Sequence, residues 1–588
     1  MILTPVDWLI LGGYFLIVIV IGSYFMRRAG TDTEEFFLAG RSLPWWLLGT
    51  SMVATTFSTD TPNLVAELVR TDGLAANWVW WAFLITGMLT VFVFAPLWRR
   101  SRLLTDLEFY EERYEGRSAA FLRGFRAVYL GVVFNVIMIA AVTLAAAKIG
   151  GALFGFSKVT SVVICASVAV GYAVIAGFWG VVATDFLQFF ISIAGSFAAA
   201  WVALRHPLVG GLDGLTSKLG DRLDFVPPSG SEAFMAFIVV PLAIQWWSVW
   251  YPGSEPGGGG YVVQRMLAAK DERHALWGTL WFNVAHYALR PWPWILVAAA
   301  SILVYPDVAS LRESVPGLDP ALVGDDLAYP IMLRLLPAGW LGLMVASLAG
   351  AYMSTVDTHL NWGASYLVHD LYRRFYRPEA SERHYVQVAR WVTVGLMVLA
   401  GGLTMILATA RSSFDLILQI GAGTGLIFIL RWLWWRVNAW SEIVAMIASV
   451  VSAVAVSALR GGAWDPGPHG ALGLGVAFTT LCWLVATLVT APVSEPTLRR
   501  FYRKVGPPPY GWGPVRGGDR PRTDWRGFAS WPLACLAVYG CLFGTGAWLF
   551  GRTSMALSWL AVLIVAGGAL LFVLPKESSA AREPSIDG

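Results

Sequence analysis

Three stretches of this chain carry oxygen-bearing side chains where an apolar run would otherwise continue, and each has the chemistry to hold a small cation or a polar solute. Residues 353–361 place Ser354, Asp357 and Thr358 at i, i+3 and i+4, so their oxygens share one helical face. Hard oxygen ligands of this kind suit a small alkali cation, and a polar seam between helices is the alternative reading. Residues 54–62 hold five hydroxyl side chains, Asp60 and Pro62 in the middle of a second apolar run. Proline lacks the N–H that a helix interior needs, and Ser and Thr compete for backbone groups. We expect a discontinuous helix there, with freed carbonyls able to bind a cation; a proline-kinked helix solvated by its own hydroxyls is the competing reading. Residues 250–260 include Tyr251, Pro252, Pro256 and the run Gly257 to Gly260, which cannot form regular helix. They are either an unwound mid-membrane segment or the loop at a helix end.

Single ionisable residues in apolar surroundings add to this set, because polar groups persist in lipid only where they face protein or water. Asp185 lies near the start of a sixth apolar run, where a helix N-cap role competes with a site role. His286 and Arg290 precede Pro291 in an eighth run. Arg290 could meet a carboxylate of a solute or pair with a buried acid, and the sequence favours neither. Trp45, Trp46, Trp80 and Trp81 read as membrane-belt or packing residues.

The elements that must position these groups follow from composition. The chain has 588 residues, 57% hydrophobic and only 14% charged. A soluble domain carries roughly 25% charged residues, so a cytosolic enzyme is excluded, and the aromatic content excludes a disordered chain. Cys165, Cys482, Cys535 and Cys541 sit in apolar runs without metal-ligand spacing and read as small buried hydrophobes. A membrane helix needs about 20 mostly apolar residues. About fifteen such runs occur, near 6–26, 43–70, 74–98, 124–152, 158–177, 180–204, 232–252, 274–304, 338–370, 386–410, 413–436, 439–459, 470–491, 531–551 and 555–574. The first has Asp7, no preceding Lys or Arg and no cleavage site, so it is read as a span and not as a signal peptide.

Lys and Arg collect after odd-numbered runs: Arg27, Arg28 and Arg41; Arg99 to Arg126; Arg265, Lys270 and Arg273; Arg373 to Arg383; and the linker 492–530. The connection 306–329 is acidic. This alternation predicts an N-terminus outside and a C-terminus in the cytoplasm of a cell (plasma or inner) membrane. Linker 492–530, with Pro507 to Pro509 and Gly517-Gly518, predicts an extended cytoplasmic connector between the main bundle and two C-terminal helices.

These residues also carry a family resemblance. Residues 37–46 (FLAGRSLPWW) resemble the lead-in to the first core helix of the sodium:solute symporter family. Residues 264–270 (QRMLAAK) are similar to its cytoplasmic signature, and 351–355 (AYMST) with 370–372 (DLY) resemble its sodium-binding helix and that helix's end. The resemblance implies an all-α, polytopic membrane protein with the leucine-transporter fold: two inverted five-helix repeats, here runs two to six and seven to eleven, with discontinuous first helices. Paired interruptions five runs apart point the same way. The implied organisation is 1–42 as an extra helix and linker, 43–437 as the transport core, 438–491 as two further helices, 492–530 as the linker and 531–588 as two final helices with a tail.

By motif match the main sodium site falls on the carbonyls of Ala54, Phe57 and Ala351 and the hydroxyls of Ser354 and Thr355. Some family members are described with a second sodium site, whose positions here hold Asp185, Asp357 and Thr358; an acid at 357 is a departure that would bind sodium more strongly or carry a proton. The solute contacts implied are Asp60, Thr61, Trp80 and Tyr251. Thr61 and Trp80 stand where the family's sugar transporters carry glutamine and an acid, so a sugar pocket of that type is not expected.

The resulting expectation is a non-enzymatic, sodium-coupled symporter of a small polar organic solute working by alternating access, embedded in lipid, with no nucleic acid and no obligate protein partner. Proton coupling in the same fold, or a membrane sensor acting through a partner at 492–530, are the alternatives. A membrane enzyme would need a nucleophile–base pair, metal cluster or phosphate loop, and the sequence offers none.

Overall fold

The structure is a computed structural model that describes residues 3–29, 32–249, 256–318, 322–407, 423–459, 467–517 and 525–574. Among the described residues the chain is helical throughout, apart from an isolated bridge between Leu43 and Ala269. We number only the helices used below: α1 Pro5–Ala29, α2 Trp45–Thr55, α3 Asp60–Asp72, α4 Leu74–Ser101, α5 Gly116–Phe154, α6 Lys158–Leu204, α7 Glu232–Trp247, α8 Gly260–Ala268, α9 Glu272–Val304, α10 Trp340–Ser365, α11 Glu382–Ile406, α12 Gly425–Leu433, α13 Ala439–Leu459, α14 Gly467–Val489, α15 Glu495–Val505, α16 Arg526–Leu549 and α17 Thr553–Val573.

Ten helices among the described residues are long and apolar enough to cross a membrane, against the fifteen runs read from the sequence. The five runs not among the ten are the interrupted, short or polar ones. The second is split into α2 and α3. The fifth is the short first part of α6, which turns at Gly177 (φ 57°, ψ −173°) before the sixth begins. The seventh stops at Trp247, and the ninth, α10, is long but polar. The eleventh falls partly on 408–422, outside the described residues.

Two layers of contact position the interior. Helix α6 packs lengthwise against α1 and α10, and α9 packs against α2. Asp7 at the start of α1 accepts from the backbone N–H groups of Gly339 and Gly342, both at 2.7 Å, and so satisfies the otherwise unpaired first turn of α10. At the acidic end of the bundle, Arg70 pairs with Asp325 at 2.8 Å and Lys148 with Asp326 at 2.7 Å, which draws α3 and α5 onto one connection. The C-terminal pair α16 and α17 grips α4: Tyr539 and Trp531 donate to the carbonyls of Trp81 (2.9 Å) and Ile85 (2.7 Å).

The arginines counted as loop charges are not all at the surface. Arg113, Arg123, Arg126 and Arg265 are 0%, 7%, 5% and 0% exposed. Their long side chains run back into the bundle, a reach that a count of charges per connection cannot see. The linker after α14 also differs from the extended connector expected. Residues 495–505 form α15, which buries Leu498, Phe501, Tyr502 and Val505 on one face. Arg100 donates to the carbonyl of Val505 at 2.9 Å, fixing α15 against the end of α4.

At the same basic end, Glu108 accepts from the backbone N–H of Leu104 at 2.8 Å and contacts His369, while Arg123 reaches Glu111 and Asp370, both at 2.7 Å. Burial works against the charge on Glu108, but His369 and Arg123 outweigh it and hold the carboxyl down to about 2. A carboxylate depressed in the folded state stabilises above its ordinary value and ceases to do so as pH falls through its folded value. We therefore expect thermal stability of the purified chain to drop as pH is lowered from 4.5 towards about 2, the ordinary and folded values of Glu108. Melting curves of Glu108→Gln should be flatter across that window and start from a lower melting temperature at neutral pH.

Candidate ion and solute site

The break in the second run lies at residues 56–59. Thr56 closes the last turn of α2 by donating to Met52 and Val53 carbonyls, Phe57 N–H donates to Ala54 O at 2.9 Å, and helix resumes at Asp60. Pro62 is not at the break; it stands in the first turn of α3, where its missing N–H costs nothing. Carbonyls released by a break inside a bundle need partners. Thr55 O accepts from Thr355 Oγ1 at 2.8 Å, and the same hydroxyl lies 3.0 Å from Ala351 O one turn back in α10. Thr56 O accepts from Arg290.

Of the five main-site residues, the structure thus brings Ala54 and Phe57 to the break and Ala351 and Thr355 against it. Ser354 faces the same region but donates to Asp185 Oδ1 at 2.6 Å. Asp185 is buried in the middle of the second half of α6 and not at its N-terminus, so it serves side chains and not a helix end. Its other oxygen accepts from Ser51 at 2.5 Å and from Arg265 at 3.3 Å. Arg265 also donates to Ser51 Oγ (2.9 Å), Thr55 Oγ1 (2.9 Å), Thr358 Oγ1 (2.8 Å) and Tyr261 O (3.3 Å). Asp357 is 2% exposed, and its Oδ1 has no hydrogen-bond partner.

On the far side of the break, Arg290 donates to Thr56 Oγ1 at 2.9 Å and to His286 Nε2 at 2.8 Å. A guanidinium can only donate, so Nε2 accepts and the imidazole proton belongs on Nδ1, which faces Thr56 Oγ1 at 3.1 Å. Among the described residues no acid forms an ion pair with Arg290; its Cζ lies over the rings of Phe57 (5.8 Å) and Trp294 (5.2 Å). Behind His286, Trp80 stacks on Tyr287 with ring centroids 6.0 Å apart and donates to Asn77 Oδ1 at 2.9 Å.

A small cavity of about 50 Å³, partly open, lies beside the break. Thr56, Phe83, Thr86, Thr90, Tyr261, Thr279, Asn283, His286 and Tyr287 line it, drawn from the break and from α4, α8 and α9. Trp80 stands behind this wall, and Asp60 and Thr61 head α3 away from it; Asp60 Oδ1 is buried without a partner. Tyr251 lies outside the described residues. The cavity wall was readable as a stripe, with Thr86 and Thr90 at i, i+4 and Thr279, Asn283 and His286 at i, i+4, i+7. Apart from His286, these wall residues lie on continuous helices with no interruption to mark them.

The glycine run has a structural account. Gly257, Gly258 and Gly260 take positive φ (86°, 90° and 51°), which turns the chain into α8. Trp98 donates to Gly257 O at 2.7 Å, and Gly260 N–H donates to Asp106 at 3.0 Å. A Cβ on Gly258 would lie 2.8 Å from Met266 Cε, 3.1 Å from Val263 Cγ2 and 3.2 Å from Trp98 Nε1.

A helical bundle in which a broken helix packs against a polar helix, with a polar-lined cavity beside the break, is the architecture of a multi-pass secondary transporter. The sodium:solute symporter family matches residues 36–449, and the chain belongs to that family: it is a sodium-coupled symporter of a small solute. The sodium/glucose cotransporter of Vibrio parahaemolyticus is 25% identical over 76% of this chain and 84% of that protein. Sodium/glucose cotransporter 4 of Danio rerio is 26% identical over 74% of this chain and 70% of that protein. Among solved structures, the substrate-bound outward-open state of a Na+-coupled sialic acid symporter is similar in fold, with a TM-score of 0.64 and 20% identity over 84% of this chain and 99% of the other.

Gly258→Ala should destabilise the chain by about 1–3 kcal/mol, the usual range for forcing atoms into a packed interior. Gly395→Ala, which meets nothing within 4 Å, should not destabilise it. Thermal unfolding of the two purified variants side by side checks this.

Proposed function

We propose that the chain imports a small polar organic solute with sodium by alternating access, with the ion held between the break at 56–59 and α10. The observation that carries this reading is the Thr355 hydroxyl, which already joins Thr55 O to Ala351 O across the two helices. Sodium would take carbonyls of Ala54, Phe57 and Ala351 and hydroxyls of Ser354 and Thr355. The hydrogen bond from Ser354 to Asp185 leaves that hydroxyl's lone pairs available and enriches them, because its acceptor is a carboxylate. The solute would sit in the cavity against Thr56, Thr86, Asn283 and His286, with Asp60, Thr61, Trp80 and Tyr251 as further contacts in other states of the cycle.

On this reading residues 43–437 form two inverted five-helix repeats within about fifteen spans, followed by 438–491, the linker and the final helix pair. The N-terminus faces outward and the arginine-rich end faces the cytoplasm. The ion pairs Arg70–Asp325 and Lys148–Asp326 then lie on the outer side. Sodium binding from outside would reinforce the contact α10 already makes with the break and pre-form the solute cavity, so ion and solute raise each other's affinity by about 1–3 kcal/mol, as linked sites do.

The test is thermal stability of detergent-purified protein in sodium against potassium and choline at equal ionic strength. Sodium alone should stabilise. In Ser354→Ala and Thr355→Ala the sodium concentration giving half the effect should rise by about tenfold or more, the scale on which lost support costs metal affinity. Equal stabilisation by all three ions, or unchanged sodium dependence in both variants, would count against the assignment.

A further inference from the structure

The resemblance to the family implies a second sodium held by Asp185, Asp357 and Thr358. Those residues do not form an open oxygen cage in this chain. Asp185 Oδ2 and Thr358 Oγ1 both accept from Arg265 Nη2, at 3.3 and 2.8 Å, and Thr55 Oγ1 accepts from it at 2.9 Å. Arg265 Nε takes Ser51 Oγ at 2.9 Å, and Asp185 Oδ1 is engaged by Ser354. The side chains of Arg265 and Asp185 are both fully buried. Phe178 and Tyr261 lie against the guanidinium, with ring centroids 5.4 and 5.9 Å from Cζ.

We propose that Arg265 is the resident second cation of this chain: its guanidinium holds the seat that a second sodium would need, so a single sodium per chain comes from solution. This rests on the sodium reading given above. The physical argument is competition for the same lone pairs. A sodium ion must collect several oxygens at once from Ser51, Thr55, Asp185 and Thr358, and each of these accepts from Arg265. The guanidinium is tethered to α8, so it competes at an effective concentration that a dissolved ion does not reach. It also offers five donors in a fixed planar fork, which suits four acceptors spread over three helices. A buried carboxylate such as Asp185 requires a countercharge, and Arg265 supplies it permanently. Asp357 Oδ1 makes no hydrogen bond to that fork or to any other group among the described residues.

The arrangement also gives the second seat a different task. Arg265 belongs to α8, whose first turn contributes Tyr261 and Val262 to the cavity wall, and Arg265 donates to Tyr261 O. It touches Asp185, which touches Ser354. A displacement of α8 by the solute is thereby passed to a ligand of the main ion through two contacts, with no second ion in the path.

The deciding experiment is equilibrium binding of radioactive sodium to the full-length, detergent-purified chain, counted per protein molecule. One ion per chain is expected. Two ions would overturn this inference and leave the sodium reading intact, whereas none would overturn the sodium reading itself and this inference with it. Arg265→Gln opens the seat while keeping a polar side chain, and its count should rise to two; Arg265→Lys, which keeps a tethered cation, should stay at one. A folded Arg265→Gln protein that still binds one ion would overturn the assignment of the seat. Should that variant fail to fold, the count on the unmodified chain decides alone.

Discussion

Everything in this bundle answers to one constraint: a helix broken inside a low-dielectric interior frees backbone groups that water cannot reach. Residues 56–59 create that situation, and the surrounding residues are arranged to meet it. Thr355 takes Thr55 O, Arg290 takes Thr56 O, and the turn itself uses Ala54 O. The partners come from α10 and α9, so satisfying the break forces three helices to converge. A convergence of hydroxyls and carbonyls is also what an alkali cation needs, and the structural solution and the functional one therefore use the same atoms.

The charges are organised around that convergence as two separate systems. On the side of α10, Asp185 and Arg265 neutralise each other and hold Ser51, Thr55, Ser354 and Thr358 in one network. On the side of α9, Arg290 has no carboxylate within ion-pair distance among the described residues; it faces carbonyl, hydroxyl and imidazole acceptors together with aromatic faces. The negative end of α2, where the helix stops at Thr55, contributes to its compensation. The first system borders the proposed ion ligands and the second borders the cavity, with the broken segment as their shared wall.

Much of this was legible in the sequence because interruptions of an apolar run are conspicuous. The hydroxyls at 54–62 announced the break, and Ser354 and Thr355 announced the helix facing it. Three things were hidden for identifiable reasons. The cavity wall on α4 and α9 is polar only at every third or fourth position, so its average stays apolar. Arg265 follows an interrupted run and reads as one more loop charge; its inward reach depends on where α8 packs. Helix α15 has a strongly basic face and lies among prolines and glycines, and only its contact with α4 reveals the buried face. Pro62 was a correct marker for an incorrect reason, since it starts the second half-helix and does not cause the break.

The grip of the C-terminal pair on α4 has a mechanical meaning. Tyr539 and Trp531 hold two backbone carbonyls one turn apart, just before the turn that presents Thr86 and Thr90 to the cavity. Helix α17, on the outer flank, exposes Ile564, Val565, Leu571 and Phe572. The pair is an outrigger: a change in bilayer thickness or lateral tension that tilts α16 and α17 bears on α4 and so on the shape of the solute chamber. Lipid composition would thereby reach the cavity through two helices that contribute no residue to its lining.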